Sequence, residues 1–218
     1  MYTMTSTHPV HLTSAGQPSL RLEGRWHLPA GPGPFPAAVV AHPHSLMGGS
    51  MHSQVVVWIA RTLAARGWAA LRFNFRGVEN SQGRYDEGRG ETYDLIGALD
   101  WLAGQQEVDA GRLAVVGYSF GARVGGRAAS CDERVCAYAA VALTKNGSTH
   151  VDLSRFTRPK YFIVGARDTL GRPEFLRPFV AALPDPKTLH VIPGADHILF
   201  GYEQLVADHV ADFLTTSV

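Results

Sequence analysis

Apolar residues along this chain follow two rhythms. Ala37–Ala41, Ala69–Phe73, Leu113–Val116, Val135–Leu143, Tyr161–Val164 and Leu189–Ile192 are short, nearly continuous apolar runs, as strands buried on both faces require. Between them apolar residues recur at helical spacing: Val56, Ile59, Ala60 and Leu63, then Leu95, Ala98, Leu99 and Leu102, then Pro173–Leu183, then Val206, Val210, Phe213 and Leu214. Gly67 marks the end of the first of these helices. Leu20–Leu28 alternates apolar and polar residues, as a half-exposed strand does, and the Ala-Gly-Pro-Gly-Pro stretch at 30–34 is a turn. Strand–helix alternation of this kind predicts an α/β fold, a mostly parallel twisted sheet with helices on both faces. Residues 1–218 read as a single domain, with 1–18 a flexible lead or an early edge strand.

The chemistry starts where the Leu113–Val116 run ends in Gly117-Tyr118-Ser119-Phe120-Gly121, a G-x-S-x-G pentapeptide followed by the helix-like GARVGGRAAS. A serine at the apex of a sharp strand-to-helix turn is a nucleophile elbow, and the flanking glycines leave room for strand and helix to pass closely. An acid and then a histidine should follow in chain order. Asp168 stands just past the Tyr161–Val164 strand, and His197 follows the Leu189–Ile192 strand in Pro193-Gly194-Ala195-Asp196-His197. Both fall at the carboxyl ends of strands, where open α/β sheets bind ligands. Asp168 is preferred to Asp196 as the acid, because adjacent residues rarely aim their side chains at each other. The expected catalytic set is therefore Ser119, His197 and Asp168: nucleophile, base and orienting acid.

With these motifs the chain resembles the α/β-hydrolase family, from about Leu20 to Leu214. GYSFG at 117–121, GARD at 165–168, GADH at 194–197 and the loop HPHSLMGGSM at 42–51 carry the resemblance, and the stretch 72–94 is similar to a small lidless branch of serine esterases and hydrolases. Glu79 departs from the small residue expected there. The resemblance implies an oxyanion hole formed by the backbone N–H of Phe120 and a second N–H from the 42–51 loop. Pro43 has no N–H, which leaves His44 as first choice and Ser45 as second. Many members insert a helical lid where this chain has only the loop-like stretch from Thr144 to Lys160, so no lid domain is expected. Leu46, Met47, Met51, Tyr118, Leu170 and Phe200 are candidates for an apolar substrate pocket. The implied activity is hydrolysis of small or short-acyl carboxylic esters. Thioesters, lactones and amides would use the same groups, and a non-catalytic binding protein on the same scaffold is a separate alternative.

Composition narrows this further. Twenty basic and 19 acidic residues leave a net charge of +1 with no basic tract, so nucleic acid is not implied as a partner. No run reaches the roughly 20 apolar residues of a membrane span, and the first residues lack the pattern of a signal peptide. Together with only two cysteines, Cys131 and Cys136, this points to a cytoplasmic protein with small buried thiols and no disulfide framework. His42 and His44 could share one face of a strand, but no third or fourth ligand stands at telling spacing, so no metal is expected and His42 reads as a loop-organising residue. The glycines around Ser119 do not match G-x-G-x-x-G, which argues against a dinucleotide cofactor, and none is expected. The expected partner is a small-molecule ester, with the protein a monomer or a homodimer.

Overall fold

A computed structural model describes residues 5–218. Eight strands form one sheet: β1 (Ser6–Ser14), β2 (Gln17–Leu28), β3 (Phe35–Ala41), β4 (Ala69–Phe73), β5 (Val108–Tyr118), β6 (Val135–Val141), β7 (Lys160–Gly165) and β8 (Lys187–Ile192). Their order is β1-β2-β4-β3-β5-β6-β7-β8. Pairings β1–β2 and β2–β4 are antiparallel, and all pairings from β4 through β8 are parallel. Among the described residues five α-helices lie between strands, α1 (Gln54–Ala65), α2 (Arg89–Ala103), α3 (Phe120–Cys131), α4 (Lys145–Ser148) and α5 (Pro173–Ala181), and α6 (Glu203–Ser217) follows the last strand.

The apolar runs are continuous because both faces of the sheet are covered. Along β3, Ala37, Val39 and Ala41 pack into a core with Leu95, Leu99 and Leu102 of α2, Val124 of α3 and Leu176 of α5. Ala38 and Val40 point the other way, into a second core with Val56, Ile59 and Leu63 of α1 and Val206, Val210 and Leu214 of α6. Period-two alternation of the strand thus feeds two layers of helix at once. The chain is an α/β protein with a mostly parallel sheet between helical layers, as the apolar pattern predicts.

The first strand takes up one of two readings, and three further details differ from the pattern. Within the 1–18 segment, residues 6–14 form an edge strand paired along β2, while 1–4 lie outside the described residues. Strand β6 stops at Val141 rather than Leu143 because Ala142 takes a left-handed φ of 49° that turns the chain. Residues 145–148, read as loop, form the short helix α4, since the Thr144 side chain accepts a hydrogen bond from Gly147 N at 2.9 Å and caps the turn. Neither thiol is fully buried: Cys131 ends α3 exposed, and half-buried Cys136 donates to Leu113 O. Among the described residues no helix is long and apolar enough to cross a membrane.

Candidate active site

Ser119 joins β5 to α3 with φ 55° and ψ −109°, a conformation costly for any residue with a Cβ. The turn is clamped from both sides. Ser119 N donates to Val141 O of β6 at 2.8 Å. A Cβ on Gly117 would run into Gly121 O, and one on Gly121 would lie 2.6 Å from His42 O. Only glycine lets strand, helix and the neighbouring loop approach this closely.

The chain ends of β7 and β8 bring two further side chains to the serine. His197 Nε2 lies 2.9 Å from Ser119 Oγ, and its Nδ1 lies 2.8 Å from Asp168 Oδ2. The other oxygen of Asp168 accepts the N–H groups of Leu170 and Gly171, each at 2.8 Å. Burial pushes this carboxyl upward, but the bond from His197 and those from the backbone outweigh it and hold Asp168 below its ordinary value. An ionised Asp168 can only accept, so Nδ1 carries the proton and Nε2 is left to accept from the serine hydroxyl. Asp196 does other work: its Oδ1 accepts from Ile198 and Leu199 N–H and folds the turn after the histidine. Tyr118 also anchors that turn, donating to His197 O at 3.0 Å and Ile198 O at 3.2 Å. Burial pushes its hydroxyl up to about 12, which keeps it a donor.

The loop after β3 is held by His42. Its Nδ1 donates to Pro43 O at 2.7 Å and its Nε2 accepts from Phe75 N at 3.1 Å. The loop then makes a 3₁₀ turn over Ser45–Met47, with Leu46 N donating to His44 Nδ1. The His44 ring packs on Phe120 and Tyr85 at centroid distances of 5.0 and 5.1 Å. Phe120 opens α3, so its N–H has no partner within the helix. His44 and Phe120 face one cavity with Ser119, whereas Ser45 carries a buried hydroxyl without a partner. Glu79 takes φ 48°, which accounts for the small residue expected there. Its carboxylate is held by Asn74 Nδ2 at 2.8 Å, and His52 stands 3.4 Å away.

Two cavities flank the serine and histidine turns. One, of about 240 Å³, is lined by Met47, Tyr118 and Phe200 together with Pro43, Val55 and Ile198. The candidates Leu46 and Leu170 are exposed and line neither cavity: the Leu46 side chain leaves the 3₁₀ turn toward solvent, and Leu170 contributes its backbone, donating to Asp168 and accepting from Lys145 N. Met51 lies in the interior at 2% exposure. The other cavity, of about 370 Å³, opens directly on Ser119 and brings the polar side chains of Arg123, Thr144, Asn146 and His150 beside His44 and Phe120. Sequence reading missed these four. Arg123 was within reach, since four residues after Ser119 on a helix share its face. Among the described residues no cluster of three potential metal ligands occurs.

Comparison with known proteins agrees with this architecture. The profile of the X-Pro dipeptidyl-peptidase (S15) family matches residues 19–158. An uncharacterized protein of Rickettsia prowazekii (strain Madrid E) is 30% identical over 207 residues, which cover 91% of this chain and 86% of that one. An α/β serine hydrolase homologue from Coxiella burnetii superposes with a TM-score of 0.82 at 29% identity over 100% of both chains. An α/β serine hydrolase without a lid from Xanthomonas campestris gives 0.83 at 28% identity, covering 97% of this chain and 94% of that one. The matched profile takes in both the 42–51 loop and the serine turn, and the chain belongs to the X-Pro dipeptidyl-peptidase (S15) family of the α/β hydrolases.

Proposed function

We propose that this protein is a serine hydrolase of small carboxylic esters acting through Ser119, His197 and Asp168. The hydrogen-bonded line Asp168–His197–Ser119, set on a strained turn and open to a cavity, carries the reading. Neutral His197 takes the serine proton as Oγ attacks the carbonyl carbon, and Asp168 holds the imidazole in the tautomer this needs and stabilises its cation. The oxyanion is received by Phe120 N–H and by an N–H of the 42–51 loop, for which His44 stands first. His197 returns the proton to the departing alcohol, and water then releases the acyl group by the same steps in reverse.

Esters suit the site because their leaving group is good and the short Thr144–Lys160 connection leaves the serine open to small soluble molecules. The family description favours a second reading, cleavage after an X-Pro dipeptide. That substrate presents a free ammonium, yet the cavity at Ser119 is lined by His44, Arg123 and His150 and by no carboxylate. Thioesters, lactones and amides remain chemical variants of the same mechanism.

The test is fluorophosphonate labelling, followed by a panel of 4-nitrophenyl esters of rising acyl length with Ala-Pro-4-nitroanilide as the peptidase arm. Expected are labelling of Ser119, its loss in Ser119→Ala, and turnover of short esters. An unlabelled wild-type protein that turns over no ester overturns the reading, and faster anilide cleavage would move it to the peptidase.

A further inference from the structure

Arg123 borders two cavities at once. One is the cavity on Ser119. The other, of about 500 Å³, is lined by Tyr85, Glu87, Arg89, Arg127 and His150 as well as Arg123. Arg123 and His150 line both, so they stand between the space beside the serine and a cationic groove. Arg123 and Arg127 sit four residues apart on one face of α3, and neither has a carboxylate within ion-pair distance among the described residues. Arg123 is placed rather than loose: its guanidinium stacks 4.9 Å from the centre of the Phe120 ring and gives one N–H to Glu87 O at 3.1 Å. Arg123 also acts on the Tyr85 hydroxyl, and a guanidinium has five N–H donors, more than these contacts use. Of the nearby acids, Asp86 is paired with Arg89 at 3.0 Å, and buried Glu91 has its oxygens taken by the N–H groups of Asp86 and Gly88. Glu87 alone stands in the groove as an unpaired negative charge. The cationic surplus is small, which suits a monoanion and not a phosphate dianion.

The two cavities differ in what they can receive. A departing alcohol takes its proton from His197, so it leaves on the side of the histidine turn. The apolar cleft of Met47, Tyr118, Ile198 and Phe200 lies there. The cavity at Ser119 and Phe120 is left for the acyl part. We propose that the acyl chain of the substrate ends in a carboxylate, which Arg123 grips in bidentate fashion, so that the natural ester is a half-ester of a dicarboxylic acid. The proposal rests on the ester-hydrolase reading for the placement of the acyl group.

The experiment compares the mono-4-nitrophenyl ester of adipic acid with 4-nitrophenyl hexanoate, which matches it in length and lacks the charge. Wild-type protein should favour the adipate ester by about tenfold or more in kcat/KM, mainly through KM, as a charge-assisted bidentate contact implies. That ratio should shrink as ionic strength rises from about 0.01 M to about 1 M. Arg123→Met should bring the ratio to one or below, and Arg123→Lys should restore part of it. A wild-type ratio at or below one, or an unchanged ratio in Arg123→Met, overturns the proposal. Binding is also read without turnover, by calorimetric titration of Ser119→Ala with adipic monoanilide and with hexananilide. Tighter binding of the acidic ligand, lost when Arg123→Met is added, upholds the carboxylate site even if Ser119 fails to label and the hydrolase reading falls. Equal binding of the two ligands overturns it independently.

Discussion

Lowering the pH should unfold this protein through two buried histidines, and His42 is the more informative of them. Its ring is fully enclosed, and burial drives its pKa from 6.5 to about 4, with the bond to Pro43 O opposing the shift. Its Nε2 accepts from Phe75 N, so a proton there would replace a hydrogen bond with two facing donors. Above pH 6.5 the ring is neutral in both folded and unfolded chains and contributes nothing to the pH dependence. Between 6.5 and 4 only the unfolded chain takes up the proton, so stability falls as pH falls. A difference of this size corresponds to about 3 kcal/mol by the time pH reaches about 4. His27 adds a similar loss over the same window. Its pKa is also lowered to about 4, by burial and then by Arg72, whose Nε donates to it at 2.9 Å. The assay is urea unfolding at half-unit steps from about pH 7 to about pH 4. Wild-type stability should fall across the window with a slope approaching two protons. His42→Gln should lose about 1–3 kcal/mol at neutral pH, because one amide group cannot both donate to Pro43 O and accept from Phe75 N as the ring does, and its slope should drop by one proton. An unchanged slope in a folded His42→Gln would show that His42 is not the neutral, enclosed group described.

Further outcomes follow from the site itself. Asp168→Asn should lower kcat by about 10⁴-fold by removing the acceptor that fixes the His197 tautomer. Asp196→Asn should cost about 1 kcal/mol of stability through the 198–199 turn and lower turnover far less; steady-state kinetics and thermal melts that reverse this ranking would reassign the acid. Gly121→Ala should destabilise the fold by several kcal/mol, because the new Cβ meets the backbone of the β3 loop; a melting temperature within a degree or two of wild type would contradict the packing. Initial rates on a soluble ester series should pass smoothly through the concentration at which substrate aggregates, since no lid helix spans 144–160. A jump at that point would show a hidden closing element.

The strands and the larger helices were legible because burial on two faces writes itself as unbroken apolar runs, such as Leu113–Val116 in β5 and Phe162–Val164 in β7, separated by helical periodicity. The serine turn was legible because its glycines are sterically compelled, and the placements of Asp168 and His197 followed from strand ends. Other features depend on partners distant in sequence. Helix α4 exists through one side-chain cap at Thr144, a signal too small to stand out from loop composition. The cavity at Ser119 is built by α3 meeting the 144–150 segment, and nothing near Arg123 in the sequence announces that neighbour. Leu46 and Leu170 look like pocket residues by type, yet their positions are set by backbone bonds to His44 and Asp168.

Sheet order has a consequence for how the molecule comes into being. The serine rides on β5 near the middle of the sheet, whereas His197 follows β8 at its far edge, 78 residues later in the chain. During synthesis the elbow can be made while its histidine is still unbuilt, because β8 is the last strand of the chain to be made. Any chain broken off before β8 therefore carries the serine without its base. The hydrogen bond between Ser119 and His197 therefore forms only once the β8 edge and the turn beyond it are in place beside β5, β6 and β7.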